Sequence, residues 1–133
     1  MESQQSLKEH LAAIVENSDD AIVTKNLDSI ILSWNRGAER LFGYPAEEAI
    51  GRSITMVIPD DRHLEEIDFI RKLRRGERIS NFETIRKRKD GSLVPISLTV
   101  SPVRNANGNI IGASKIARDI TLQRQAVERQ QLL

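Results

Sequence analysis

The chain offers few side chains that could carry out covalent chemistry. Its 133 residues include two histidines, His10 and His63, and no cysteine. Without cysteine it can form no disulfide, no thiolate zinc site and no flavin-cysteinyl adduct. It also lacks a Gly-x-Ser-x-Gly nucleophile motif and a glycine-rich phosphate-binding loop. We therefore predict that this segment is not itself catalytic.

Two acidic doublets, Asp19-Asp20 and Asp60-Asp61, could bind a hard cation, because carboxylate oxygens are the ligands that such ions prefer. Each doublet lies beside a predicted helix end, where acidic side chains commonly cap or turn the backbone. We interpret both as capping and turn residues and predict no metal site.

The basic clusters at residues 71–75 and 86–89 are the candidates for contact with nucleic acid. They lack the interleaved aromatic residues on which single-stranded bases stack. Strand alternation places Arg86 and Arg88 on one face and Lys87 and Lys89 on the other. The chain carries 20 basic and 19 acidic residues, so its net charge of +1 creates no strong field. We predict a solvated helix end and hairpin tip for these clusters, and no nucleic-acid partner.

The first half of the chain reads as a helix, a hairpin and a second helix. Leu7, Leu11, Ile14 and Val15 form one apolar stripe, which must cover a sheet or meet the same helix of a second copy. Residues 21–25 and 29–34 are predicted strands joined by a polar turn. Ile30, Leu32 and Trp34 then share one face, and Asn35 caps the segment that follows.

The second half reads as a helix followed by antiparallel strands. The helix begins at Asp60 or Asp61, ends near Arg75 and has an apolar side made by Leu64, Ile67, Phe69 or Ile70, and Leu73. Turn signals at residues 89–92 and 105–109 separate three strands. In the middle strand the apolar residues alternate with mostly polar ones and should face the core: Val94, Ile96, Leu98 and Val100. From Asp119 onward the pattern is helical again.

Several motifs, taken together and in this order, resemble the PAS domain, a small sensory module of bacterial signalling proteins. They are Trp34-Asn35-Arg36, residues 38–44, residues 48–51, Phe82-Glu83-Thr84, Lys89-Asp90-Gly91 and residues 118–121. The resemblance covers roughly residues 8–121. It implies an α+β fold, in which short helices cover one face of a five-stranded antiparallel sheet of order 2-1-5-4-3. We expect an N-terminal helix in residues 1–18, the PAS core in 19–118 and a C-terminal linker helix from 119 to 133.

The resemblance also implies a pocket between the sheet and the helices. Its candidate lining is Trp34, Asn35, Ile70, Leu98 and Ile116. The large aliphatic residues of the chain could equally fill this space without a ligand: Ile22, Leu32, Ile54, Met56, Ile70, Leu98 and Ile116. Trp34 is either a core residue or a contact for a flat cofactor such as a flavin.

Haem is the second cofactor to weigh, because haem-binding relatives take their iron ligand from the helix that contains His63. In those relatives the histidine lies three residues before an aromatic-isoleucine pair. Here Phe69-Ile70 puts Glu66 at that place, and His63 comes about one turn too early. We predict an exposed His63 and no cofactor, with haem and flavin as the alternatives.

Such modules relay changes in ligand or packing to an effector, for example a histidine kinase or a diguanylate cyclase. The resemblance makes Asp119, Ile120 and Thr121 the exit point, with Asp119 paired to a basic or amide group. The rival interpretation is a structural homodimerisation module without a ligand, and a third is a haem or flavin sensor of gas or redox state.

We expect a homodimer formed through the N-terminal helix. The apolar runs are too short to span a bilayer, so we expect no membrane insertion and a cytoplasmic location.

Overall fold

The computed structural model describes residues 2–132, so Met1 and Leu133, the outermost residues of the predicted terminal segments, lie outside it. Within the described residues, five strands form one antiparallel sheet in the order β2-β1-β5-β4-β3. This order confirms the predicted topology. The strands are β1 Ala21–Asn26, β2 Ile31–Trp34, β3 Ile79–Lys87, β4 Leu93–Arg104 and β5 Ile110–Asp119.

Helices lie around this sheet. They are α1 Glu2–Glu16, α2 Arg36–Phe42, α3 Ala46–Ala49, α4 His63–Arg74 and α5 Thr121–Leu132, with 3-10 turns at Ile54–Val57 and Asp60–Arg62. The short helices α2 and α3 and the longer α4 pack on the sheet, while α1 and α5 flank it. Alternation along β4 is as predicted, since Val94, Ile96, Leu98 and Val100 are all buried. The core therefore lies between the inner face of the sheet and helices α2 to α4.

Two predicted apolar faces are wrong in part. In β2 the buried residues are Ile31 and, as predicted, Trp34, while Leu32 is 54% exposed. The pairing of β1 with β2 shifts here so that Leu32 is the extra residue of a bulge, which reverses the expected alternation. In α4 the predicted core residues Leu64 and Ile67 are 76% and 54% exposed.

Helix α4 instead turns Glu66, Phe69 and Leu73 toward the sheet. The helix starts at His63 after a 3-10 turn, and neither Asp60 nor Asp61 caps it through a side chain. The predicted apolar side of α4 is therefore rotated relative to the side that is buried. The prediction did not include Glu66, the charged residue that faces the sheet.

Asn35 makes the predicted corner between strand and helix. Its Oδ1 accepts hydrogen bonds from the backbone N–H groups of Ala38 and Ile22, each at 2.9 Å. Its Nδ2 donates to the carbonyl oxygens of Val15 at 2.7 Å and Asp20 at 3.1 Å. One buried amide therefore caps α2 and ties together α1, the loop after it and β1.

Replacing Asn35 by Ala should lower the free energy of unfolding by about 2–3 kcal/mol, because four hydrogen bonds are lost and buried backbone groups lose their partners. Chemical denaturation monitored by circular dichroism measures this. Asn109→Ala, in the exposed turn before β5, is the matched control and should change the stability by less than about 0.5 kcal/mol. Equal effects of the two substitutions would contradict the role given to Asn35.

Candidate functional site

The predicted pocket is a small cavity between the sheet and the helices, and the structure places only part of the predicted lining there. The cavity measures about 20 Å³. It is lined by Ala21, Val23, Phe42, Ile54, Val57, Arg86, Ile96, Leu98, Lys115 and Ala117. Of the predicted lining residues, Leu98 borders it.

The other four predicted lining residues lie elsewhere. Trp34 is a core residue, because its Nε1 donates to the carbonyl oxygen of Tyr44 at 2.9 Å and its ring packs on Phe42. Asn35 is engaged in the corner described above, and Ile70 packs against the core half-buried. Ile116 is 40% exposed on the outer face of the sheet, in register with Ile22. The prediction that Ile22, Leu32 and Ile116 help to fill the interior is therefore wrong.

A carboxylate held between two lysines lies where helix α4 meets the sheet. Glu66 Oε1 accepts a hydrogen bond from Lys115 Nζ on β5 at 2.6 Å. Glu66 Oε2 accepts one from the Ser29 hydroxyl and lies 2.7 Å from Lys25 Nζ on β1. The approach of Lys25 is a close ion pair whose angle is poor for a hydrogen bond. Glu66 thus connects α4 to two strands through groups that are almost completely buried.

A second ion pair lies beside the first. Arg86 Nη1 on β3 donates to Glu65 Oε1 at 2.8 Å and to the carbonyl oxygen of Ile85 at 2.9 Å. Glu65 also accepts hydrogen bonds from Thr84 and from the half-exposed Arg62. Arg86 is 2% exposed, so the predicted solvated position at the hairpin tip is wrong for this residue. We call Lys25, Glu65, Glu66, Arg86 and Lys115 the buried charge cluster.

The ionisation of the cluster is set by burial and by its internal ion pairs. Burial raises the pKa of Glu66, but the positive charges of Lys115 and Lys25 and the hydrogen bond from Lys115 outweigh it and bring the pKa down to about 2. Burial lowers the pKa of Lys115 to about 8, and the attraction of Glu66 opposes this only in part. Burial also lowers the pKa of Arg86. At neutral pH Glu66 and Lys115 are therefore predominantly ionised.

Sequence reasoning missed this cluster although the signal for it was present. Lys25 is in phase with the inward residues Ala21 and Val23, and Lys115 lies between the inward residues Ala113 and Ala117. A single charged residue at an inward position of a strand is normally read as an interruption of the apolar alternation. Here two such lysines on adjacent strands, with an acidic residue on the inner side of the covering helix, indicated a buried ion pair.

The residues present do not fit haem through His63 or a flavin in the cavity. His63 Nε2 lies 3.0 Å from the carbonyl oxygen of Ile58, and its side chain is 43% exposed outside the cavity. The inward position on α4 is taken by Glu66. A flavin would need far more room than the cavity has, and Trp34 is already packed in the core. Among the described residues, no group of three or more acidic, histidine or cysteine side chains is arranged to hold a metal.

The predicted exit point lies at the end of the central strand β5. Asp119 Oδ1 accepts a hydrogen bond from the backbone N–H of Thr121 at 2.8 Å, at the start of α5. Its other oxygen lies 3.8 Å from Arg88 Nη2, so Arg88 is the basic neighbour that the sequence left unnamed. Ile120 is buried, and its N–H donates to the carbonyl oxygen of Pro95.

The start of β1 lies beside this exit. Ala21 pairs with Ala117 in the sheet, and Arg118 Nη2 lies 3.1 Å from Asp20 Oδ2. The chain therefore enters and leaves the sheet at neighbouring positions on two adjacent strands.

Both terminal helices expose apolar residues. On α1, Leu7, Leu11, Ile14 and Val15 are 57%, 53%, 66% and 39% exposed, so this stripe does not cover the sheet of its own chain. On α5, Leu122 and Val127 are also exposed. No helix within residues 2–132 is both long enough and apolar enough to cross a bilayer.

Comparisons with known proteins agree on the fold. A family model described as the PAS fold matches residues 9–120. The solved structure of the PAS domain of a protein from Colwellia psychrerythraea is 31% identical in sequence, with a TM-score of 0.79. The match covers 86% of this chain and 98% of that one.

Two curated relatives are larger signalling proteins by name. The sensor protein FixL of Bradyrhizobium diazoefficiens is 27% identical, over 93% of this chain and 25% of its own length. The cell-division control histidine kinase PdhS of Brucella ovis is 25% identical, over 96% of this chain and 13% of its own length. The chain thus spans a quarter or less of the length of these relatives.

Replacing Glu66 by Gln should destabilise the domain by about 3–5 kcal/mol near pH 7, because two buried lysines lose the negative charge between them. The matched control is Glu48→Gln, whose carboxylate also lies 2.7 Å from a lysine, Lys89, but on the surface. It should cost less than about 1 kcal/mol. Urea denaturation of both variants measures the difference.

The contribution of Glu66 should also depend on pH. Its pKa is lowered from 4.5 to about 2 in the folded state, so its stabilisation is complete above the unfolded value and is lost as the pH falls toward 2. The gap between wild type and Glu66→Gln should therefore narrow from pH 5 to pH 2. A gap that stays constant over this interval would contradict the assigned ionisation.

Proposed function

Since this chain belongs to the PAS family, we propose that it is the sensory domain of a longer signalling protein and that it controls an effector through α5. The observation that carries this proposal is the course of β5. This central strand presents Lys115 to the buried charge cluster and ends four residues later at Asp119, where α5 begins. A change in the interior that shifts β5 would therefore also shift the start of the helix.

The proposed effector is a C-terminal enzyme such as a histidine kinase or a diguanylate cyclase. The relative PdhS is by name a histidine kinase, and FixL is by name a sensor protein. Both extend well beyond the matched segment, which supports a role as one module among several. The segment itself is the non-catalytic part, and we propose that it works in the cytoplasm.

The proposed relay runs through the Asp119-Ile120-Thr121 junction. Asp119 holds the first turn of α5 through the backbone N–H of Thr121 and faces Arg88 on the loop before β4. Ile120 is held to β4 through the carbonyl oxygen of Pro95. The junction therefore contacts two parts of the sheet, and a small shift between them changes the direction of the helix.

We further propose that the domain forms a homodimer through α1. Its apolar stripe consists of four exposed residues on a 15-residue helix and is not packed on the core. A second copy of the same stripe provides a complementary surface by two-fold symmetry. This supports the structural dimerisation role as well as the sensory one, and the two are compatible because α1 is tied to the core by Asn35.

Replacing Asp119 by Ala in the full-length protein should reduce the response of the effector to its stimulus by at least about fivefold, because the junction no longer fixes the direction of α5. The melting temperature of the isolated domain should change by only a few degrees. The measurement is effector activity with and without stimulus.

The matched control for this experiment is Asp61→Ala, which removes an exposed carboxylate at a distance from the junction. It should leave the response unchanged. A full response in Asp119→Ala, with the domain folded, would overturn the proposed relay.

Replacing Leu11 by Glu should weaken dimerisation by at least about tenfold, because it places a charge in the middle of the apolar stripe of α1. Analytical ultracentrifugation over a concentration series measures the dissociation constant. Leu122→Glu, which changes an 80% exposed leucine on α5, is the control and should leave the dimer intact. If neither variant shifts the equilibrium, α1 is not the interface.

A further inference from the structure

The buried charge cluster contains more positive than negative charge. The side chains of Lys25, Arg86 and Lys115 are 0%, 3% and 5% exposed. The two carboxylates of the cluster are those of Glu65 and Glu66, and Glu65 is shared with the half-exposed Arg62. Three buried cations therefore face two carboxylates. An uncompensated charge in a protein interior is unfavourable, so the cluster favours one additional negative charge.

Arg86 supplies the donor for such a charge. Its Nη1 is engaged with Glu65 and the carbonyl oxygen of Ile85. Its Nη2 is buried, and no side chain or backbone group in residues 2–132 accepts a hydrogen bond from it. Buried guanidinium groups in folded proteins normally have all their donors engaged. The free donor of Arg86 is thus an independent sign of a binding partner.

The residue that carries this donor lines the cavity described above. Arg86 and Lys115 are the two charged residues among those that line it, and Ile54, Val57 and Leu98 are among its apolar walls. At about 20 Å³ it has room for one water-sized group or a single small ion. Both its size and its positive charge therefore restrict the class of ligand.

We propose that this cavity binds one small monovalent anion, a halide ion or formate, between Arg86 and Lys115, and that the presence of this anion is what the domain senses. The anion would accept a hydrogen bond from Arg86 Nη2 and balance the charge of the cluster. Lys115 lies on β5, so occupancy of the cavity acts on the strand that leads to Asp119. This second step rests on the sensory function proposed above, whereas anion binding does not.

Thermal unfolding of the chain at pH 7 tests the binding. Sodium chloride, bromide and formate are compared with sodium gluconate at equal ionic strength, because gluconate is too large for the cavity. The wild-type melting temperature should rise on the order of 5–10 °C when the bound anion is in hundredfold excess over its dissociation constant. The series separates halide from carboxylate as the preferred ion.

Two variants show whether the effect comes from the cavity. Arg86→Gln removes the free donor and balances the cluster, so its melting temperature should not depend on the anion. Lys87→Gln, which removes a positive charge from the next residue of the same strand, should keep the full dependence. The same anion dependence in Arg86→Gln as in wild type would overturn the proposal, since it would reflect a general effect of the salt.

Anomalous diffraction from a bromide-soaked crystal of the wild-type chain decides the matter even if Arg86→Gln does not fold. We expect a bromide peak in contact with Arg86 Nη2. A water molecule at this place, with no anomalous signal, would overturn the proposal and leave the Asp119 relay untouched. Conversely, a bound bromide with no effect of the anion on effector activity would overturn the sensing step alone.

Discussion

The carboxylate of Glu66, buried between Lys25 and Lys115, is the interaction on which the rest of the interior depends. It fixes which side of α4 faces the sheet and places Phe69 and Leu73 in the core. It also joins α4 to β1 and β5, two adjacent strands. A buried ion pair seldom adds net stability compared with an apolar core, but the loss of one partner is costly. The cluster therefore specifies one arrangement of helix and sheet rather than simply strengthening it.

The second constraint is the amide of Asn35. The backbone groups it satisfies belong to α1, to the loop after α1, to β1 and to α2. Gly37 lies next to this corner, where a side-chain Cβ would be 2.1 Å from the carbonyl oxygen of Asp20. Close backbone approach at this position excludes any residue but glycine. The terminal helix α1 is thus fixed at its end while its apolar stripe stays exposed.

The strands and hairpins of the second half were predictable because their turn signals and the alternation along β4 are strong and local, whereas the strand order came from the resemblance to PAS domains. The Asn35 corner was predictable for the same reason. An asparagine between a strand and a helix typically caps the helix and bonds the backbone groups that are left free at the end of the strand. The prediction failed where the pattern depends on a partner strand or on buried charge. The bulge at Leu32 comes from the pairing of β2 with β1, and the inward side of α4 is set by Glu66. Neither can be read from the hydrophobicity of its own segment.

The pairing of Ala21 with Ala117 has a consequence for how this domain can be built into longer proteins. The chain enters the sheet at the start of β1 and leaves it at the end of β5, and these two points lie side by side. The segments that precede and follow the sheet therefore start from neighbouring positions. The domain can therefore be inserted between two helical segments while the facing ends of those segments stay close together. The same geometry allows copies to be added or removed in tandem while the path of the flanking helices is preserved.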